Sequence, residues 1–586
     1  MHGQEPLNVE SGKEEETSAA IEAGSMPEAR AVRGGLLDGR PRLVRLILIA
    51  LFLMAAAVRL YQIDAPGFLV DRDFTSAMLA RDFYFSHSET VEPWRREIAR
   101  ATRENQPILE PPVTEWFVSL AYRLAGNEQL RFARILTSLF WLAGGLFLFC
   151  TARALVSTDA AVFALGYYLF VPMSVLLSRS FQPDALMMLL FLASLFGVVR
   201  YHEQPSRPRL AAAAMIGAAT LVYRPLVLFA LLGAFVVPQM QRRGPWKGAF
   251  GAASLAYVSV STLPALLYYG YGTFAARHFG WKLETSFRLD LWVHREYWGG
   301  WLDTALFAVG VPALLAAAIG VVLLRRGLPR SIVVGLGLGY LVFGLLFTMH
   351  IHTHPYYNAQ LIPLVAIAAS PVAALLARRF VQSPGPWLKW LAALLLAGIV
   401  ALPWAREVHR GLRRARFETL STAREIGRLV GHSNHVVFLS GYYGLPLQYL
   451  GEFTGAYWMR PITYHLYRKK VERELSVAER LEMIGFEPEY FVITAFDEFE
   501  KHHGDLAAYL NHHCMLKART EAYLVYERCR LEAALSHERS VSELASSRPF
   551  SRIDATTSFA SPSKEPGIDS PEVLGGFLRG RPLPHP

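Results

Sequence analysis

Apolar runs close to the ~20 residues that an α-helix needs to cross hydrocarbon recur from Leu43 to Trp404. Lipid offers no partners to backbone N–H and C=O groups, so such runs can persist only as spanning helices. About eleven spans are expected, near 43–61, 132–151, 160–177, 184–200, 209–223, 225–240, 249–268, 301–324, 331–349, 359–378 and 387–404. Length alone, 586 residues, would suggest about three or four soluble domains. The repetition overrides that. Arg224-Pro225 interrupts the fifth and sixth runs; a proline without a donor beside a cation predicts a tight break there.

The first apolar run follows Arg40 and Arg42 and contains Arg45. It reads as a retained span, not a cleaved leader. Lysine and arginine set the orientation. With the N-terminus in the cytoplasm, the inner connections hold Arg153, Arg200, Arg207, Arg209, Arg242, Arg243, Lys247, Arg325, Arg326, Arg330, Arg378, Arg379 and Lys389, against only Asp159 and Glu203. The C-terminal region then lies on the outer face of an inner or plasma membrane. The net charge of +10 is mostly a topology signal, and the bilayer, not nucleic acid, is the partner it implies. Cys150 lies in a span and reads as a packing residue. Cys514 and Cys529 fall outside, where a disulfide is permitted, although spacing does not decide pairing.

Residues 1–40 lack apolar periodicity and read as a disordered cytoplasmic tail. Residues 41–404 form the membrane domain, with outward loops 62–131 and 269–300. Within the first loop, 76–85 is expected as an amphipathic surface helix, and 113–124, too short to span, as an interfacial one. After Trp404 the pattern becomes that of a soluble α/β domain, 405–530. Strands at 435–439, 489–494 and 522–526 alternate with helices at 419–430, 478–484 and 506–510, which favours a small, mostly parallel sheet. Ser, Pro, Arg and Gly dominate 531–586, where disorder is expected.

Charge at a bilayer boundary is costly unless it serves a site. Four boundary constellations stand out. The first is Asp71-Arg72-Asp73 leading to Ala80-Arg81, just past the first span. Either aspartate could act as a base, or pair with Arg72 or Arg81 in a solvated loop. The second is Glu110-Pro111-Pro112-Val113 with Trp116, where proline suits a helix start. The third is Arg179 to Asp184, a turn whose residues could cap the next helix as a pair. The fourth is His354-Pro355-Tyr356-Tyr357, which could belong to a site or to an interfacial aromatic belt. Arg224 adds a cation whose rigid fork suits phosphate. His350, His352 and His354 alternate, but no carboxylate or cysteine stands nearby to complete a metal set. No metal is expected.

The order of these features resembles the GT-C glycosyltransferases, in the branch of the protein O-mannosyltransferases and the lipid A aminoarabinose transferase. The resemblance covers roughly residues 43–530. It implies a polytopic α-helical membrane enzyme with extracytoplasmic juxtamembrane helices and a C-terminal α/β domain. Its expected reaction moves a sugar from a polyprenyl-phosphate carrier to a lipid, glycan or protein acceptor, inverting the anomeric centre, with no cofactor. In that family an acid after span one is the proposed base. Spacing back from Ala80-Arg81 favours Asp73 over Asp71, and the usual adjacent acidic pair is split here by Arg72. The resemblance implies Arg81, Arg179, Arg224 and Lys282 for the donor phosphate, and Glu110, Asp184, His354, Tyr356 and Tyr357 for substrate. Glu110 stands where some relatives carry a lysine. The rival readings are a transporter or lipid flippase, and a non-catalytic relative. Transporters place ionisable groups near the bilayer midplane, whereas these cluster at one boundary.

Overall fold

The computed structural model describes residues 35–64, 71–105, 110–276, 286–382, 420–458 and 475–528. Seven of its helices are long and apolar enough to cross a membrane: Pro41–Leu60, Leu130–Leu155, Asp184–Glu203, Pro225–Arg243, Ala252–Ala275, Leu328–Leu346 and Leu361–Gln382. Two bent helix pairs are also long and apolar enough when taken together. Thr158–Phe170 turns by 58° into Pro172–Arg179, and Arg295–Val309 turns by 90° into Val311–Leu323. Arg207–Tyr223 is a 17-residue helix at the fifth expected position. Every expected span up to 359–378 is thus a helix or a bent pair, and 387–404 lies outside the described residues. The break at Arg224 is present as expected: the residue is extended and leads into a 3-10 turn, Pro225–Val227.

Each bend frees a carbonyl, and a side chain from another helix takes it up. Buried Arg59 donates to Leu169 O at 3.0 Å and to Ala55 O at 3.1 Å. Tyr167 Oη donates to Val309 O at 2.8 Å. Broken helices persist in a membrane only where such groups are re-satisfied. Elsewhere small residues let helices touch. A Cβ added to Gly233 would lie 2.1 Å from Gly335 O, so Leu228–Arg243 and Leu328–Leu346 meet backbone to backbone. Cys150 is exposed on its helix and does not pack inside the bundle as expected.

The two ends of the bundle differ. At one end Asp159 accepts hydrogen bonds from Leu36 N (2.8 Å) and Leu37 N (2.9 Å) and pairs with Arg378 Nε at 3.3 Å. Residues 35–40, the end of the expected disordered tail, therefore form a turn tied to the bundle. The opposite end carries α1 (Asp71–Phe85), α2 (Pro93–Glu104) and α3 (Val113–Ala125). The expected amphipathic surface helix over 76–85 is corrected here. It is the later part of α1, and Phe74, Ala77, Met78 and Ala80 are all buried. It is covered on one side by α3 and on another by the C-terminal domain, so it has no solvent face to be polar.

That domain comprises α4 (Leu420–Leu429), α5 (Leu445–Gly451) and strands β1 (Val436–Leu439), β2 (Gly455–Tyr457), β3 (Tyr490–Ile493), β4 (Met515–Arg519) and β5 (Leu524–Glu527). The strand order is β2-β1-β3-β5-β4. β1 pairs parallel with β2 and β3, whereas β5 pairs antiparallel with β3 and β4. The sheet is mixed, not mostly parallel, because β4 and β5 follow each other as a hairpin. Leu445 and Tyr449 of α5 share a core with Phe74, Met78 and Phe85 of α1. Cys514 is disulfide-bonded; its expected partner, Cys529, lies outside the described residues, as do 1–34 and 529–586.

Candidate active site

Two consecutive residues in the first turn of α1 reach different partners. Asp73, 2% exposed, accepts a hydrogen bond from Ser180 Oγ and lies close enough to Arg134 to bear on its charge. Arg72 donates to Glu110. Neither contact is legible in the sequence, because Ser180 and Glu110 lie far along the chain from α1.

Glu110 begins a chain of buried charge. Its Oε1 lies 3.2 Å from Arg224 Nη1, and Arg224 Nη2 lies 3.6 Å from Asp184 Oδ1. Arg72, Glu110, Arg224 and Asp184 come from four elements: the start of α1, the residue before Pro111-Pro112, the break between two spans, and the first turn of Asp184–Glu203. Burial works against the charge on Arg224, but Asp184 and Glu110 outweigh it and raise the guanidinium's pKa further. Tyr357 and Tyr356 are near enough to contribute to that field.

The cluster is under-satisfied. Both carboxylate oxygens of Asp184, and Nε and Nη1 of Arg224, make no hydrogen bond among the described residues although buried. Arg179 donates through Nη2 to Gln62 O at 3.1 Å, while its Nε and Nη1 are likewise buried without one. Buried polar groups are nearly always hydrogen-bonded, so these atoms mark where a polar ligand would complete the site. A small cleft lined by Arg72, Glu110, Pro111, Pro112, Glu115 and Pro183 opens beside them. Glu115, 4% exposed, accepts from Ser76 Oγ at 2.6 Å. Burial raises its pKa, and the Ser76 hydrogen bond only partly opposes this. Thr114 and Tyr223 hydroxyls meet behind it at 2.7 Å.

Several expected roles change. The Arg179–Asp184 pair does not form. Pro183 is the N-cap and Asp184 faces Arg224. Arg81 lies in another network: it pairs with Glu128 at 2.9 Å, donates to Tyr449 O at 2.6 Å and stacks 3.9 Å over the Tyr449 ring. His354 is hydrogen-bonded to Thr353 Oγ1 at 2.6 Å, and burial, with His352 nearby, holds its pKa down to about 4. His350 stacks on Tyr357 at 4.9 Å. Lys282 and the side chain of Asp71 lie outside the described residues. Ser180 and Glu115 were missed although both stand inside the runs that drew attention. Serine and a helix-surface glutamate carry no signal until their partners are known.

No curated protein matches the chain. Residues 109–268 match the model of a family described as dolichyl-phosphate-mannose-protein mannosyltransferase. ArnT from Cupriavidus metallidurans, solved bound to undecaprenyl phosphate, is 14% identical at a TM-score of 0.51, over 82% of this chain and 98% of its own. Its apo structure is 15% identical at a TM-score of 0.52, over 83% and 98%. The chain shares the fold of these ArnT structures. The GT-C resemblance seen in the sequence is thus upheld at the level of fold. The segment matched by the family model contains Glu110, Asp184 and Arg224. Arg72 and Asp73 precede it, and α1 brings them to the same place.

Proposed function

We propose that the protein transfers a sugar from a polyprenyl-phosphate carrier to a lipid, glycan or protein acceptor on the side of the membrane that holds α1–α3, the extracytoplasmic side. The observation that carries this reading is the charge chain Arg72–Glu110–Arg224–Asp184 beside Asp73, in which the buried Arg224 and Asp184 are incompletely hydrogen-bonded. The undecaprenyl phosphate bound to ArnT supports a lipid phosphate as the group that such cations would meet.

In this reading the acceptor's oxygen or nitrogen attacks the anomeric carbon. The bond from that carbon to the carrier phosphate breaks, and the acceptor's proton passes to a carboxylate oxygen of Asp73. One displacement inverts the centre. Arg224 and Arg179 stabilise the departing phosphate, with Lys282 of the 269–300 loop as a further cation. Glu110, Asp184, Tyr356, Tyr357 and His354 shape the substrate pocket. Arg81 leaves the phosphate set because Glu128 and Tyr449 already hold it. The donor brings its own leaving group, so the proposal assigns no cofactor and no metal.

The test is transfer from candidate polyprenyl-phosphate sugars by the protein reconstituted in vesicles. Asp73→Asn is expected to lower transfer about 10²–10⁴-fold while donor binding persists. Transfer retained in that variant would remove Asp73 as base. Labelled sugar crossing the vesicle without any glycosylated product would replace the reading with transport.

A further inference from the structure

A groove of about 280 Å³ lies between α2 and the C-terminal domain, on the same side as the proposed active site. Its lining includes Trp94, Arg95, Arg424, Arg428, His432 and Glu452. We propose that it binds an anionic saccharide unit, a sugar ring bearing a phosphate or carboxylate, as part of the acceptor. Only the word acceptor rests on the transfer reading; the groove's ligand class does not.

Arg424 and Arg428 stand one turn apart on the same face of α4, both exposed. Neither makes an ion pair or side-chain hydrogen bond among the described residues. Like charges at this spacing repel along a helix, so the pair weakens α4 unless an anion sits between them. Arg95 supplies a third guanidinium, but Glu452 already holds it through two hydrogen bonds. It fixes the groove's floor and does not compete for ligand.

The other wall is aromatic. Trp94 lies over His432 with ring centroids 4.3 Å apart and donates through Nε1 to Glu92 at 2.8 Å. His432 Nδ1 sits 3.0 Å from both Gly451 O and Glu452 O. Two acceptors at that nitrogen keep the proton there and leave Nε2 able to accept from a hydroxyl. His432 and Glu452 both adopt positive φ, 53° and 51°, where glycine would be easier. Each uses its side chain to build the groove, which a glycine could not. A flat ring for the sugar's C–H face, carboxylates and an imidazole for its hydroxyls, and paired arginines for its anion form one coherent set. The volume, just under the ~300–1,000 Å³ of typical ligand sites, fits a single unit.

Arg95 and Glu452 also line a smaller cavity with Met78 and Arg81 of α1. Met78 is about 7.5 Å along the helix from Asp73.

The test uses the full-length protein in zwitterionic nanodiscs, titrated with glucose 1-phosphate, glucuronate, glucose and inorganic phosphate under saturation-transfer NMR. The two sugar anions are expected to bind, with glucose and inorganic phosphate each about tenfold weaker. Arg424→Gln with Arg428→Gln should cost about tenfold for the anions, and Trp94→Ala should weaken all sugars, with the ligand-free melting temperature of the arginine double variant equal to wild type or slightly higher. Inorganic phosphate binding as tightly as glucose 1-phosphate, or unaltered binding in the arginine double variant, would overturn the proposal. So would displacement of the sugars by phosphatidylglycerol added to the nanodisc, which would make this a lipid-headgroup patch. The two readings fail separately. Arginine-dependent sugar binding without any donor turnover would leave the groove and remove the transferase. Transfer with unchanged acceptor KM in the double variant would do the reverse.

Discussion

Arg224 Nη1 stands 3.2 Å from Glu110 Oε1, and this contact joins the break between two spans to the loop that opens α3. Arg224 is also the only cation in contact with Asp184 among the described residues. Removing one partner of a buried pair strands the other and costs about 3–5 kcal/mol. Arg224→Gln should therefore lower stability by that order and reduce transfer by about 10²–10³. Arg224→Lys keeps the charge but loses the fork, and should retain more stability than activity. Thermal unfolding and single-turnover transfer on the same preparations separate the two effects.

Ser180 Oγ donates a hydrogen bond to Asp73 and so helps to set the carboxylate's direction. Ser180→Ala should leave α1 folded but hold Asp73 less firmly. The expected loss in transfer is about tenfold, with acceptor KM little changed, whereas Asp73→Asn removes the base and should lower the rate about 10²–10⁴. Equal rates in wild type and Ser180→Ala would show that Asp73 needs no such orientation.

The sequence reading went furthest where one physical rule acted alone. Apolar length located the spans, and Arg224-Pro225 located the break, because lipid permits few alternatives. Glu110-Pro111-Pro112 marked the start of α3 because proline fits a first turn. The reading failed where partners come from distant elements. Arg81 looked like an exposed boundary cation, yet the docking of α5 buries it against Glu128. Asp184 looked like the partner of Arg179 in a pair that caps the next helix, yet the break at Arg224 delivers a different guanidinium to it. β4 escaped notice because it is an exposed edge strand bearing Lys517 and Arg519, the charges that keep such edges from pairing further.

Arg81 offers a direct test of how the C-terminal domain is held. Its pairing with Glu128, and the Tyr449 hydroxyl that donates to the same carboxylate at 2.5 Å, tie α1 to α5. Burial opposes the charge on Arg81, but Glu128 and Tyr449 outweigh it and raise the pKa. Arg81→Ala should loosen this seam, at about 3–5 kcal/mol, without unfolding the spans. Hydrogen exchange is expected to rise in α1 and α5 while the membrane helices stay protected. Unchanged protection in α5 would show that the apolar contacts of Leu445 and Tyr449 suffice.

Glu115 sets a pH dependence whose sign is fixed. Burial raises its pKa above the ordinary 4.5, so the folded protein favours the neutral acid. In the window between 4.5 and the raised value, the unfolded chain has released this proton while the folded chain keeps it. The unfolded state then binds fewer protons, and stability falls as pH rises through the window. Glu115→Gln keeps a hydrogen-bond acceptor for Ser76 but does not titrate. Its melting temperature relative to wild type should therefore climb as pH rises above 4.5, across the range where both fold, other carboxylates cancelling in the difference. A difference that stays level across that range, measured in one detergent, would mean that Glu115 is ionised in the fold and matched by Arg72 more strongly than its burial implies.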